Sequence, residues 1–468
     1  MRLLRIGRVA LGLGVLLVVG GAAGLSAYAW RPVIEPIAPP QAVSFDPALV
    51  QKGAELASIG NCGTCHTAPG GRPFAGGLPL PTPFGTIYST NITPDPETGI
   101  GRWPEAAFRR AMREGVDREG QHLYPAFPYD HFTLVTDADN RALYAFLMTR
   151  QPVAARAPAN DLRFPLNQRF VLAGWKLLFL RPGPYTPDPK YDATWNRGAY
   201  LAEGLGHCGA CHTPRNIFGA ERTDRRFAGG DAEGWHAVAI GSGSPAPVPW
   251  TAESLFQYLR DGWHGQHGSA QGPMGSVADS LAAAPEEDVR AIATYVASIM
   301  GLPDGDARRR GESLTAATTT ASGPGTRPQS AGSQTVPASA PAQGSAIQDP
   351  GAAIYAATCA ACHESGRPSP FGGLDLRLSS ALTSDSPANL IRIVRNGVPA
   401  RSSARAPIMP GFAGALSDRQ LEALAGYLRS HVAGRPAWTD LGDAIRAAKR
   451  SEYASSAPAV PARPGTSP

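Results

Sequence analysis

Cys62-Gly63-Thr64-Cys65-His66, Cys208-Gly209-Ala210-Cys211-His212 and Cys359-Ala360-Ala361-Cys362-His363 use all six cysteines of the chain. Each is a C-x-x-C pair followed at once by histidine. Two thiols at that spacing can each form a thioether with one haem vinyl group, and the next residue is then held beneath the iron. A disulfide would require no histidine after each pair. A thioredoxin-like site would need a βαβ setting, which the sequence lacks. Structural zinc would need four ligands from neighbouring paired motifs, whereas these pairs lie far apart. The reading is three covalently attached haem c groups. Their attachments are Cys62, Cys65, Cys208, Cys211, Cys359 and Cys362, and their proximal ligands are His66, His212 and His363.

The surroundings of the motifs repeat. Asp46-Pro47 offers a cap and a first-turn proline for a helix ahead of the first motif. That helix carries Gly53 and Leu56; its counterparts carry Gly198 and Leu201, then Gly351 and Tyr355. A glycine there lets another helix cross closely. After each motif comes a glycine turn with phenylalanine: Phe74-Ala75-Gly76-Gly77, Phe227-Ala228-Gly229-Gly230 and Phe371-Gly372-Gly373. Amphipathic helices then close each unit. They begin near Thr136, Pro285 and Ser417, and Ser417 with Gln420 forms a capping-box pattern. The expected fold is all-α, with three class I cytochrome c-like domains in tandem at 43–150, 190–301 and 350–433.

With 468 residues, 53 glycines and 45 prolines, the chain is too long for one core and rich in loops. A formal charge of +5 is mild, and no basic stripe interleaved with aromatics argues for nucleic acid. Arg2, Arg5 and Arg8 precede an uncharged apolar run from Val9 to Trp30. Residues 1–31 are therefore expected to form a transmembrane anchor, with everything after Arg31 exported. A cleaved signal peptide, cut after Ala27-Tyr28-Ala29, is the competing reading. The connecting segment 151–189 holds an apolar stretch, Phe170 to Leu180, too short to span a membrane. It would lie on a membrane surface or cover a seam between domains. Residues 302–349 turn to Ala, Ser, Thr, Gly and Pro and read as a flexible linker. The tail, 434–468, reads as a surface strap that frays.

An electron-transfer haem usually fills both axial positions, often with His and Met. Met274 and Met409 stand in Gly- and Pro-rich loops ahead of the second and third closing helices, where core packing explains a methionine poorly. The matching loop of the first domain reads Tyr124-Pro125-Ala126-Phe127-Pro128-Tyr129, and phenylalanine cannot bind iron. Met112, His122 and His131 remain as candidates there, beside an open, five-coordinate iron.

Residues 82–95, Trp195-Asn196-Arg197-Gly198 and residues 207–216, taken with the three motifs, resemble the tri-haem cytochrome c subunit of bacterial membrane-bound dehydrogenases. Alcohol, gluconate and aldehyde dehydrogenase complexes are examples. The resemblance implies an electron-transfer subunit that is not itself catalytic, on the periplasmic side of the bacterial inner membrane. Its partner would be a large dehydrogenase subunit, and its acceptor ubiquinone or a terminal oxidase. Family members commonly have Met where Phe127 stands. The Phe-Pro-Tyr variant resembles the branch accompanying molybdenum-type aldehyde or N-heterocycle dehydrogenases, with PQQ and flavin types as alternatives. The competing function is a peroxidase-like haem enzyme acting on a small ligand at haem 1.

Overall fold

The computed structural model describes residues 20–21, 24, 27–321, 349–367, 370, 372–400 and 406–456. They group into two compact units. The first draws on Met1–Ala210, Arg215–Asp224 and Ser280–Val296, the second on Cys211–Pro214, Arg225–Asp279 and Ala297–Pro468.

One helix crossing occurs three times. Each helix ahead of a motif begins at an aspartate. Asp46 accepts from Ala48 N at 2.9 Å, Asp192 from Trp195 N at 2.8 Å and Asp349 from Gly351 N at 2.8 Å. These caps satisfy amides that have no partner inside the helix. The helices Pro47–Ile59, Ala193–Tyr200 and Pro350–Thr358 then pass over the closing helices Asp137–Met148, Glu286–Met300 and Asp418–Tyr427. The contact points are the three glycines read from the sequence. A Cβ on Gly53 would lie 2.0 Å from the Ala142 carbonyl oxygen, on Gly198 1.9 Å from that of Ala291, and on Gly351 2.2 Å from that of Ala423. No side chain fits in that space. Ser417 and Gln420 form the expected capping box.

The all-α expectation is corrected. Helices predominate, but among the described residues three small antiparallel sheets interrupt them. In the first, β1 (Pro79–Thr82) pairs with β2 (Gly85–Tyr88), which pairs with β3 (Asp161–Leu162). In the second unit, β4 (Gly230–Ala232) pairs with β5 (Trp235–Ala237), and β6 (Trp263–His264) with β7 (Gly268–Ser269). Pro79 and Pro81 disguise β1. They are tolerated because β1 is an edge strand, whose outer amides need no ladder partner.

The membrane-spanning helix expected over 1–31 is also corrected: no helix among the described residues is long and apolar enough to cross a membrane. Residues 1–19, 22–23 and 25–26 of that stretch lie outside the described residues. Gly20, Gly21, Gly24 and residues 27–29 are helical, fewer than the about 20 residues a span needs. Beyond Trp30 the chain runs extended against the first unit, with Ile34 N bonded to Arg118 O at 2.9 Å and Ile37 N to Arg102 O at 3.0 Å.

Two further stretches differ from their reading. The linker assigned to 302–349 begins as a helix, Gly305–Ala321, started by Asp304, which accepts from Ala307 N at 2.6 Å. Residues 322–348 lie outside the described residues. The tail forms the helix Leu441–Ser456, whose Ile445 and Ala448 join Leu421, Leu424 and Ile391 in the core of the second unit. Residues 457–468 lie outside the described residues.

Candidate haem-binding sites

The residues ahead of the first two motifs are left-handed: Asn61 has φ 51° and His207 φ 37°. Asparagine and histidine are among the non-glycine residues that visit that region most often. The short helices Cys62–Cys65, Gly209–His212 and Ala360–His363 follow. Among the six thiols none joins another in a disulfide.

All three motif histidines are tied in the same way. His66 Nδ1 lies 2.6 Å from Thr90 O, His212 Nδ1 2.6 Å from Val238 O, and His363 Nδ1 2.7 Å from Leu374 O. A carbonyl only accepts, so each Nδ1 carries the proton and donates. Each Nε2 is left with its lone pair, the form that binds a metal, and the carbonyl raises its basicity. Burial lowers the pKa of His66 and His212, which keeps both rings neutral.

The anchoring carbonyls come from the segments that leave the hairpins. Thr90 follows β2 and Val238 follows β5. The first two sites share further bonds. Phe74 N donates to Thr67 Oγ1 and Phe227 N to Thr213 Oγ1, each at 3.1 Å. Phe74 and Phe227 both take positive φ, 62° and 59°. In the third site Glu364 stands in place of that threonine and accepts from Tyr355 Oη at 3.0 Å. Its anchor is closer in sequence, and Gly373 sits so near the ring that a Cβ would be 2.6 Å from His363 Nδ1. Phe371 of the third turn lies outside the described residues.

Met274 occupies the first turn of the helix Pro273–Leu281 rather than a loop, and is half-buried. Met409 is half-buried against the core of the second unit, its backbone paired with Val398 at 2.8 and 2.9 Å. The candidates of the first domain separate. Met112 is buried with Phe108 on the inner face of the helix Glu105–Glu114. His122 has both ring nitrogens occupied, Nε2 by Ala29 O at 2.8 Å and Nδ1 by Lys176 Nζ at 2.9 Å. Burial, then the Lys176 charge, lowers its pKa to about 4. His131 is engaged on both sides as well, Nδ1 with Glu203 O and Nε2 with Glu221 Oε1, each at 2.6 Å. Lys176, Glu203 and Glu221 escaped sequence reasoning because partners so distant in sequence leave no local signal.

The donor sets fit haem c: two thiols three residues apart at a short helical turn, then an imidazole with its tautomer fixed and Nε2 available. A chain of crossed-helix repeats carrying such motifs is a c-type cytochrome. A family model described as cytochrome c oxidase, cbb3-type, subunit III matches residues 346–428, around the third motif. The cytochrome c subunit of alcohol dehydrogenase (quinone) from Gluconacetobacter polyoxogenes is 34% identical over 409 residues, 83% of this chain and 82% of that one. The gluconate 2-dehydrogenase cytochrome c subunit of Pantoea cypripedii is 37% identical over 413 residues, 82% and 85% of the two chains. A nicotinate dehydrogenase subunit of Pseudomonas putida is 45% identical over 430 residues, 91% of this chain. The match spans only 34% of that relative's length. This chain belongs to the family of cytochrome c subunits of dehydrogenases; its cofactor is haem c and its work is electron transfer.

Proposed function

We propose that the chain carries three haem c groups, one per motif. It takes electrons from a periplasmic dehydrogenase partner at the bacterial inner membrane and delivers them to ubiquinone or another respiratory acceptor. The carrying observation is the threefold repetition of a motif histidine whose Nδ1 is anchored to a backbone carbonyl. Bound haem c supplies a one-electron iron couple. The chain's residues do the rest. Paired thiols would hold each group, the carbonyls of Thr90, Val238 and Leu374 orient the imidazoles, and the thioethers of Met274 and Met409 would supply a second iron ligand at the second and third motifs. Substrate oxidation releases two electrons, so several one-electron sites in one chain can separate the pair. The 45% identity to a nicotinate dehydrogenase subunit supports an N-heterocycle as the partner's substrate class; a molybdenum-type large subunit rests on the resemblance carried by the Phe-Pro-Tyr variant alone.

The count is tested by intact mass and pyridine haemochrome on protein from a host competent in cytochrome maturation. Three haems per chain are expected, and two after replacing Cys62 and Cys65 by alanine. Two haems in the unaltered chain would overturn the count. The role is tested by co-purification of a large dehydrogenase subunit, followed by reduction with its substrate and reoxidation by added ubiquinone.

A second reading concerns the first motif. His122 and His131 both have their ring nitrogens engaged, and Phe127 stands in the loop that would supply a methionine. This favours an open sixth position at that iron, where a small ligand such as peroxide could bind, over ligation by Met112. Carbon monoxide decides: a shift on one haem of the ferrous protein with peroxidase turnover supports the enzyme, and no shift supports a closed relay.

A further inference from the structure

The helix Val171–Phe179 presents its charge inward and Leu177 and Leu178 outward. Leu172, Ala173, Lys176 and Leu180 are buried, whereas Phe170, Leu177 and Leu178 are 61, 58 and 60% exposed. Positions 170, 174, 177 and 178 share one face of the helical period. A helix apolar all round is ordinarily covered on every side. Rotation cannot hide this face, because Lys176 Nζ is tied inside the unit to Gly115 O at 2.6 Å and to His122 Nδ1 at 2.9 Å. Trp175 Nε1 donates to Phe218 O at 3.0 Å, which sets the exposed Phe218 beside the same helix.

We propose that this outward face is a docking surface for a lipid bilayer rich in anionic headgroups, with the helix lying in the interface. Two observations select that occupant. From Leu162 to Pro187 there is no aspartate or glutamate, while Arg163 and Arg181 flank the apolar face and are exposed. Arg169 of the same stretch is paired with Asp117 at 3.8 Å, but Arg163 and Arg181 give the apolar strip a cationic edge that complements anionic headgroups around an acyl boundary. Ala29 O also accepts from the His122 ring that Lys176 holds, which brings the exposed Trp30, an interfacial residue type, to the same part of the unit. The inference deepens the proposed delivery of electrons to a membrane acceptor and rests on that reading only for its use.

The test is hydrogen–deuterium exchange of the full-length holoprotein, read on peptides spanning residues 169–181. Vesicles of phosphatidylethanolamine with phosphatidylglycerol are compared with phosphatidylcholine vesicles. Exchange in this segment should slow several-fold with the anionic vesicles and much less with the zwitterionic ones. The Leu177→Glu/Leu178→Glu variant should lose the slowing while its haem spectrum is unchanged. Unchanged exchange at 169–181 while the unaltered chain sediments with anionic vesicles would overturn the proposal, as would slowing produced only by an added dehydrogenase subunit. Ubiquinone reduction is read separately. Its loss with docking intact counts against the relay, and loss of docking with reduction intact counts against this surface alone.

Discussion

His131 Nε2 lies 2.6 Å from Glu221 Oε1 while its Nδ1 lies 2.6 Å from Glu203 O, so both ring nitrogens face acceptors and the ring donates twice. That requires the imidazolium. Burial opposes the charge, but the hydrogen bond and charge of Glu221, with Asp130 behind them, outweigh it and raise the pKa. A histidine raised on folding contributes stability that is complete below the unfolded value, about 6.5, and is lost as pH rises through the folded value. Urea unfolding of the holoprotein should show the Glu221→Ala variant destabilised by about 3 kcal/mol at pH 5.5, since truncation strands a buried cation. The gap to the unaltered chain should narrow at pH 9. A gap that does not change with pH would mean that the ring is neutral.

The three crossing glycines make a sharper packing prediction. With less than 2.3 Å between a new Cβ and the Ala142, Ala291 or Ala423 carbonyl, Gly53→Ala, Gly198→Ala and Gly351→Ala must push two helices apart. Each should cost about 1–3 kcal/mol by thermal unfolding, toward the upper end because the obstacle is backbone. Gly174 in the Val171–Phe179 helix is the control, with nothing within 4 Å of its Cβ position. Gly174→Ala should stabilise by about 0.5–1 kcal/mol through helix propensity. Equal effects at Gly198 and Gly174 would remove close approach as the reason for these glycines.

These glycines and the motifs were legible because their signals are local and stereochemical: a thiol spacing with a following imidazole, and a small residue at a fixed place on an amphipathic helix. The hairpins were not, since Pro79 and Pro81 argue against a strand unless its edge position is known. The helix Gly305–Ala321 was hidden by its Ala/Thr composition, which reads as unfoldable until Asp304 is seen to cap it. The anchors of His66, His212 and His363 are backbone carbonyls, which every residue possesses and no sequence pattern marks. Partners such as Glu221 for His131 or Lys176 for His122 are brought close only by the tertiary fold.

Axial assignment at the second and third motifs is tested by potential. Thioether ligation raises a haem's potential relative to two imidazoles or to an open site. Met274→Ala and Met409→Ala should each lower the potential of one haem by well over about 59 mV, a tenfold change for one electron. Met274 sits in the first turn of a helix and Met409 is fixed by a two-way pairing with Val398, so neither loss requires the backbone to move. Spectroelectrochemical titration should resolve one shifted component in each variant. Unchanged titrations in both would defeat the assignment.

Lys176 supplies the last prediction, and its sign is opposite to that of His131. The side chain is 4% exposed, and burial, followed by the Arg31 charge, lowers its pKa from 10.5 to about 7. Between those values the unfolded chain holds a proton that the folded chain does not, so this group makes stability rise with pH, at up to about 1.4 kcal/mol per pH unit. Lys176→Met keeps the length and the apolar stem but removes the ionisable head. The variant should lose that slope in unfolding experiments between pH 7 and 10. Because His122 Nδ1 and Gly115 O lose their shared donor, the helix Val171–Phe179 should also exchange its amides faster. An unchanged slope would show that the ammonium stays charged in the fold, held by the Gly115 carbonyl and by the Tyr129 ring 4.8 Å from Nζ.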